Sequence, residues 1–225
     1  HYPSIMIPSA PQQSHARTFM GCHGQTRYLL SCNSLPQKVV IINSAFMRYG
    51  ARLNLDREMT KRFRLGTSLS MNRSQQGLNR TENGGVGAGA TGILAAMTFD
   101  PTLAPRNESG AWNLKATLGE QLDNPVANAL EIQNPRRVSR LLGSGFGEYA
   151  LSDALRFRST IGTNFSAERT PTYLPSTSPA GAQFQGSASI YSNQGVELTN
   201  ENTVDYHRSL LGSNLGLLGG VAIQR

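Results

Sequence analysis

Residues able to do chemistry are scattered through this chain, and each set lacks something that its chemistry requires. Gly87, Gly89 and Gly92 have the G-x-G-x-x-G spacing and precede the apolar run 93–97. A dinucleotide site needs a buried strand before those glycines and an acidic residue beyond them, inside a βαβ unit. Residues 79–83 are instead Asn, Arg, Thr, Glu and Asn, and the flanking chain alternates like antiparallel strands. The motif therefore reads as a glycine-rich loop entering a short helix. The histidines at 1, 15, 23 and 207 have no Ser or Cys and acid arranged around them, and no G-x-S-x-G elbow occurs. His207 shares a strand parity with Asp205, Thr203 and Glu201, so these side chains would line one polar surface together; wall residues are the plainer reading than an acid–base pair. Cys22 and Cys32, without other thiols, make no metal pattern. Glu197 with Glu201, or Glu108 with Glu120 and Asp123, are too dispersed for a calcium loop. The sequence thus predicts no catalytic residue, no metal site, no cofactor and no enzyme.

Arginine is the one reactive type with a pattern. Net charge is +7 with a pI near 9.8, yet no basic run is interleaved with aromatics, which argues against nucleic acid as a partner. Arg48, Arg52, Arg62, Arg64, Arg156 and Arg158 fall at positions opposite in parity to apolar residues. All six are expected on a polar face.

The elements that set this parity begin with residues 49–71. Tyr49, Ala51, Leu53 and Leu55 alternate with Arg48, Gly50, Arg52, Asn54 and Asp56, and Phe63, Leu65, Thr67, Leu69 and Met71 repeat the pattern after a charged turn at 57–61. Period two means strands. Residues 155–166 alternate the same way. Further strands are expected at 15–20, 26–33, 138–151, 198–209 and 215–223, with a polar hairpin at 184–196 and uncertain register in 138–151. Pro36 and Lys38 are expected to interrupt before the apolar run 39–42. Residues 74–136 lose the alternation and form a long excursion, with helices expected near 88–97 and 126–130; 170–197 forms a second long loop. Only 38% of the chain is hydrophobic and 16% charged. Short turns near 21–25, 57–61, 152–154 and 211–214 alternate with long connections, the arrangement of an outer-membrane barrel. The fold class is therefore all-β: an antiparallel transmembrane β-barrel segment with one face in lipid and one in a wet lumen.

Several segments resemble the SusC/RagA family of TonB-dependent outer-membrane receptors of Bacteroidota. They are Ala10-Pro-Gln-Gln-Ser-His15, Gly24-Gln-Thr-Arg-Tyr-Leu-Leu-Ser31, Ile42-Asn-Ser-Ala-Phe46, Arg48-Tyr-Gly-Ala-Arg-Leu-Asn-Leu-Asp56 and Phe63-Arg-Leu-Gly-Thr-Ser-Leu-Ser70. Tyr173-Leu-Pro-Ser-Thr177 and Asn200-Glu-Asn-Thr203 with Tyr206 are the most specific. Residues 17–23 and 34–40 depart from the family pattern, as do the two cysteines.

The resemblance implies that residues 1–225 belong to the early barrel domain, about eight of some twenty-two strands, with the plug domain absent. His1 to Ala10 lack the character of a signal peptide, which fits a piece of a longer chain. The resemblance also implies location in the cell outer membrane, contact with outer-membrane lipid, a SusD-like surface lipoprotein as partner, coupling to the TonB complex through the plug, and import of a glycan or peptide substrate. Residues 74–136 and 170–197 would then be extracellular and would meet partner or substrate. The rival is a soluble secreted all-β binding module whose apolar face lies on a core.

Overall fold

The computed structural model describes Ile5 and residues 10–38, 41–77, 95–97, 99–113, 115–117, 120–122, 124–210 and 213–225. Eight strands form one antiparallel sheet: β1 (His15–His23), β2 (Thr26–Lys38), β3 (Ala45–Thr60), β4 (Phe63–Gly77), then β7 (Pro135–Ala150), β8 (Leu155–Leu174), β9 (Ser187–Leu210) and β10 (Ser213–Gln224). Each pairs with the next in that order, so the sheet is a meander without crossovers. Between β4 and β7 the chain makes a separate ribbon, β5 (Lys115–Thr117) and β6 (Glu120–Leu122), and a helix, α1 (Pro125–Glu131). A one-turn helix, α2 (Pro179–Ala182), lies between β8 and β9.

Register fixes which side chains share a face. Leu30, Leu53, Leu69, Gly143, Thr163 and Leu198 stand in one cross-strand row. Another row joins Phe63, Tyr149, Phe157 and Val204. Odd positions of β3, β4, β7 and β8 and even positions of β2 and β9 therefore make one apolar face, because side chains alternate along every strand. Phe63 to Met71 on β4 span nine residues of this band, the length a tilted strand needs to cross a bilayer. The open register of β7 is resolved: Tyr149 points to the apolar face beside Phe63, with ring centroids 6.3 Å apart, and Phe146 points to the polar face.

The short turns gather at one end of the sheet. Gly24 takes a left-handed φ of 57° in the two-residue turn before β2, a conformation glycine adopts without strain. Thr60 Oγ1 accepts from the amides of Arg62 and Phe63 in the β3–β4 turn, and Ser152 Oγ accepts from Ala154 and Leu155 before β8. The other end carries the connections 39–44, 78–134 and 175–186.

Several expectations are corrected. Arg62 lies in the β3–β4 turn, since β3 continues to Thr60, so it is not on the polar face. Pro36 and Lys38 do not interrupt β2; Pro36 sits opposite Met47 within the ladder. The expected loop at 170–197 shrinks to 175–186. Thr170, Thr172 and Tyr173 extend β8, and residues 187–196 of the expected hairpin join the 198–209 strand in one 24-residue strand, β9. Pro171 gave that stretch a loop-like look, but its β-branched and aromatic neighbours pair with residues 187–191. Residues 41–44 form a turn with Asn43 at φ 58°. Of the helix expected at 88–97, residues 95–97 are helical and the rest, with the glycine motif 87–92, lies outside the described residues. The helix expected at 126–130 is α1.

Core burial sits away from the sheet. Among the described residues, the buried hydrophobic side chains are Ala95, Ala96, Phe99, Val126, Ala127, Ala129 and Ile132, all in the 78–134 connection. No described strand residue of the large sheet is fully buried.

Candidate functional site

Two places could serve function: the polar face of the sheet, and a knot of long connections at one end. On the polar face, Asp56 of β3 is held between Arg27 of β2 and Arg64 of β4. Arg64 donates from Nε to Asp56 Oδ1 at 2.8 Å and from Nη2 to Oδ2, and Arg27 approaches at 3.5 Å. Phe146 of β7 lies beside this group, with the guanidinium carbons of Arg158 and Arg64 at 3.8 and 5.6 Å from its ring centre. Arg158 also stands 3.7 Å from Glu148. The ring lies over Gly66, where a Cβ would come within 2.3 Å of a ring carbon. Sequence alternation placed the arginines on this face but gave no sign that an aromatic ring joins them; the Gly66–Phe146 cross-strand pair was the available signal.

Nearer the long connections the face becomes a lattice of small polar groups. Ser68 donates to Asn54 at 2.9 Å, Asn164 donates to Glu197 at 3.1 Å, and Gln224 donates to the other Glu197 oxygen at 2.9 Å. Ser31, Asn33, Gly50, Arg52, Ser70 and Asn72 line a hollow of about 300 Å³. His207 Nε2 lies 2.7 Å from Asp205 Oδ1, and both are solvent-accessible wall residues. Glu201 is level with Thr160, four rungs from Asp205, so no acid–base constellation forms. Arg48, Arg52, Arg64, Arg156 and Arg158 all fall on the polar face. Cys22 and Cys32 are free thiols on opposite faces, ruling out a bond between them. Among the described residues no group of three metal-ligating side chains occurs. Glu120 and Asp123 fall where side chains are not described.

The knot is organised by Asn124. Its Oδ1 accepts from the amides of Val126 and Ala127, capping α1, and its Nδ2 donates to the carbonyls of Pro105 at 2.8 Å and Asn113 at 3.0 Å. It is fully buried. An Asn-Pro pair at this position supplies both a cap and the fixed φ of a first helical residue. Val126 and Ala129 of α1 then pack with Ala96 and Phe99, flanked by Ile41, Ile42, Leu103 and Trp112. Trp112 Nε1 donates to Glu131 at 2.6 Å, and Thr177 donates to the other oxygen of Glu131 at 2.7 Å. Asn43 Nδ2 donates to the Ala129 carbonyl at 3.1 Å. Three connections distant in sequence are thereby joined into one surface. Arg106 stacks over Trp112 at 3.6 Å on its exposed side.

No family model matches the chain. It is 33% identical over 211 residues to TonB-dependent receptor P3 of Formosa agariphila (strain DSM 15362 / KCTC 12365 / LMG 23005 / KMM 3901 / M-2Alg 35-1), covering 92% of this chain and 21% of that protein. TonB-dependent receptor P26 of the same strain is 26% identical over 226 residues, covering 98% and 22%. Among solved structures, the RagAB peptide transporter superposes with a TM-score of 0.76 at 16% identity, over 99% of this chain and 26% of that one. The RagAB peptide importer in its closed-closed state gives 0.79 at 18%, over 97% and 25%. The chain thus spans about a fifth of the length of the curated relatives it matches.

Proposed function

We propose that this chain is a barrel segment of a TonB-dependent receptor of the SusC/RagA kind, a reading supported by its 33% identity to a TonB-dependent receptor and its structural likeness to RagAB, and that its sheet is about a third of the wall of a plugged outer-membrane barrel of roughly twenty-two strands. All 225 residues then belong to the barrel domain. The apolar face meets lipid and the polar face lines the lumen. The short turns lie in the periplasm, and the knot built around α1, Asn43, Phe99, Trp112 and Thr177 stands outside the cell. The intact receptor imports a nutrient of the glycan or peptide class, hands it past the plug when the TonB complex pulls, and receives it from a SusD-like surface lipoprotein seated on the knot. Arg48, Arg52, Arg156 and Arg158 face the plug, whose polar surface they contact.

The observation that carries this reading is the uncovered apolar face. Leu53, Leu65, Leu69, Met71, Ile161, Val196 and Leu198 are each more than a third exposed. A contiguous apolar patch of this extent marks a membrane or a large partner. The soluble binding module requires the same face to pack on a core, and no described element covers it. A polar second face with arginines on strand after strand also suits a wet lumen better than a sandwich.

The test is made on the full-length gene product. Cells are fractionated, and whole cells are labelled with a membrane-impermeant thiol reagent after Ser109→Cys in the knot or Asp153→Cys in the β7–β8 turn. Recovery with the outer membrane and labelling at position 109 alone are expected. Recovery in the soluble fraction without detergent would sink the receptor reading, and labelling at 153 alone would invert its orientation.

A further inference from the structure

The apolar face carries charge of one sign only. Every aspartate and glutamate of the eight described strands points to the polar face: Asp56, Glu58, Glu148, Glu168, Glu197, Glu201 and Asp205. Just past the Met71, Leu141 and Phe165 row, toward the long connections, three arginines stand on adjacent strands of the apolar face. Arg137 and Arg169 are direct cross-strand partners, and Arg73 is one rung diagonal to Arg137, opposite Ser139. All three are exposed and have no acidic partner among the described residues.

Like charges directly opposite one another in a sheet are destabilising. The neighbouring rung shows how the same two strands treat a cation that faces the lumen: Arg136 donates to both oxygens of Glu168, at 2.6 and 2.9 Å. One residue further along each strand, Glu168 is followed by Arg169 and the match is lost. On the polar face Arg27, Arg64, Arg136 and Arg158 each have a carboxylate partner, whereas none of the three clustered arginines of the apolar face has one among the described residues. No described residue offsets that repulsion; a group from outside the sheet would. It must be anionic, must sit immediately above an apolar ledge, and must accept from several forked donors at once. Phosphate suits this, because guanidinium groups grip it bidentately. Ser139 and Ser192 supply hydroxyl donors on the same face.

We propose that Arg73, Arg137 and Arg169 form a binding site for the phosphate-bearing headgroup of an outer-leaflet glycolipid of the lipopolysaccharide type, whose acyl chains lie down over Met71, Leu141 and Phe165. The inference rests on the membrane orientation given above, which places this rung at the outer leaflet. The site anchors lipid to the wall beside the knot and positions the barrel in the membrane plane.

The experiment uses the full-length receptor extracted from outer membranes in mild detergent, with co-purifying lipid counted by mass spectrometry. In R73Q/R137Q/R169Q the glycolipid retained per receptor is expected to fall roughly tenfold, as expected for loss of charge-assisted hydrogen bonds. R137Q alone removes the opposed charges, is expected to fold as the native chain does, and should show a smaller loss in the same direction. R57Q, on the same face near the short turns, should leave the glycolipid unchanged. Glycolipid retained at the native level in the variants, an equal loss in R57Q, or glycerophospholipid as the lipid displaced would each overturn the proposal. A receptor seated in the outer membrane with unchanged glycolipid overturns this inference alone, whereas absence from that membrane overturns its premise as well.

Discussion

The knot and the sheet are held together in opposite ways. In the knot, Asn124, Pro125 and Val126 are buried by other parts of the same chain, and every hydrogen-bonding group of the Asn124 side chain is used. In the sheet the ladder satisfies the backbone, but side chains on both faces stay open. The knot is a small core that the chain builds for itself. The sheet is complete only with what bathes it: lipid on one face, and plug or water on the other. An antiparallel ladder tolerates this because its hydrogen bonds do not depend on side-chain burial, whereas a short helix such as α1 gains most of its stability from packing.

This contrast should break most sharply at Val126. Val126→Asp places an unpaired charge among Ala96, Phe99 and Ala129 and is expected to cost the knot more than about 3 kcal/mol. Limited proteolysis of the full-length receptor in membranes should then cut within residues 99–134, while the barrel keeps its resistance to detergent. Loss of the barrel together with the knot would show that the two regions are one cooperative unit.

A charge on the apolar face separates the regions in the other direction. Leu53→Arg lies within the run Tyr49, Ala51, Leu53 and Leu55. If lipid covers that run, the change costs about 2–4 kcal/mol near the bilayer midplane. If water covers it, a substitution at an exposed site stays within about 0.5 kcal/mol. Denaturant unfolding of the receptor from lipid vesicles measures the difference, with Asn54→Ser on the polar face as the near-neutral comparison. The knot should remain protease-resistant in both variants.

The sheet was legible in the sequence because its signal is local. Alternation at 49–71 and 155–166 assigned faces to β3, β4 and β8 before any pairing was known. The signal failed where one face is small or both are polar. Gly143, Gly145 and Gly147 leave the middle of the apolar side of β7, between Leu141 and Tyr149, without side chains, so its register could not be read. The polar residues of β9 looked like a hairpin until β8 supplied a partner. The knot was hardly legible. Its core joins Ile41 and Ile42 to Val126, some eighty residues away, and Glu131 to Thr177. No periodicity encodes such contacts; the Asn124-Pro125 cap, the helical residues 126–130 and the apolar runs 39–42 and 93–97 were local traces that did not say what they meet. On the polar face the arginine positions were readable but the Phe146 ring among them was not, since an aromatic on a polar parity reads as noise until Gly66 is seen beneath it.

Gly66 gives the smallest effect and the finest test of that face. Glycine inside a strand costs about 0.5–1 kcal/mol relative to alanine, so Gly66→Ala should stabilise β4 if nothing else changed. A Cβ there would meet the Phe146 ring at 2.3 Å, and the ring must swing off the strand. The ring then loses its contacts with Arg158 and Arg64, worth about 0.5–1 kcal/mol each at an exposed site. The loss matches or outweighs the gain, and Gly66→Ala is expected to range from neutral to destabilising by about 1.5 kcal/mol. In a Phe146→Ala background there is no ring to displace, and the same change should become stabilising by about 0.5–1 kcal/mol. The double-mutant cycle, read by denaturant unfolding of the receptor in vesicles, therefore turns on a change of sign. An equal effect of Gly66→Ala in both backgrounds would mean that the glycine does not hold the ring, and that Arg64 and Arg158 keep their places on the polar face without it.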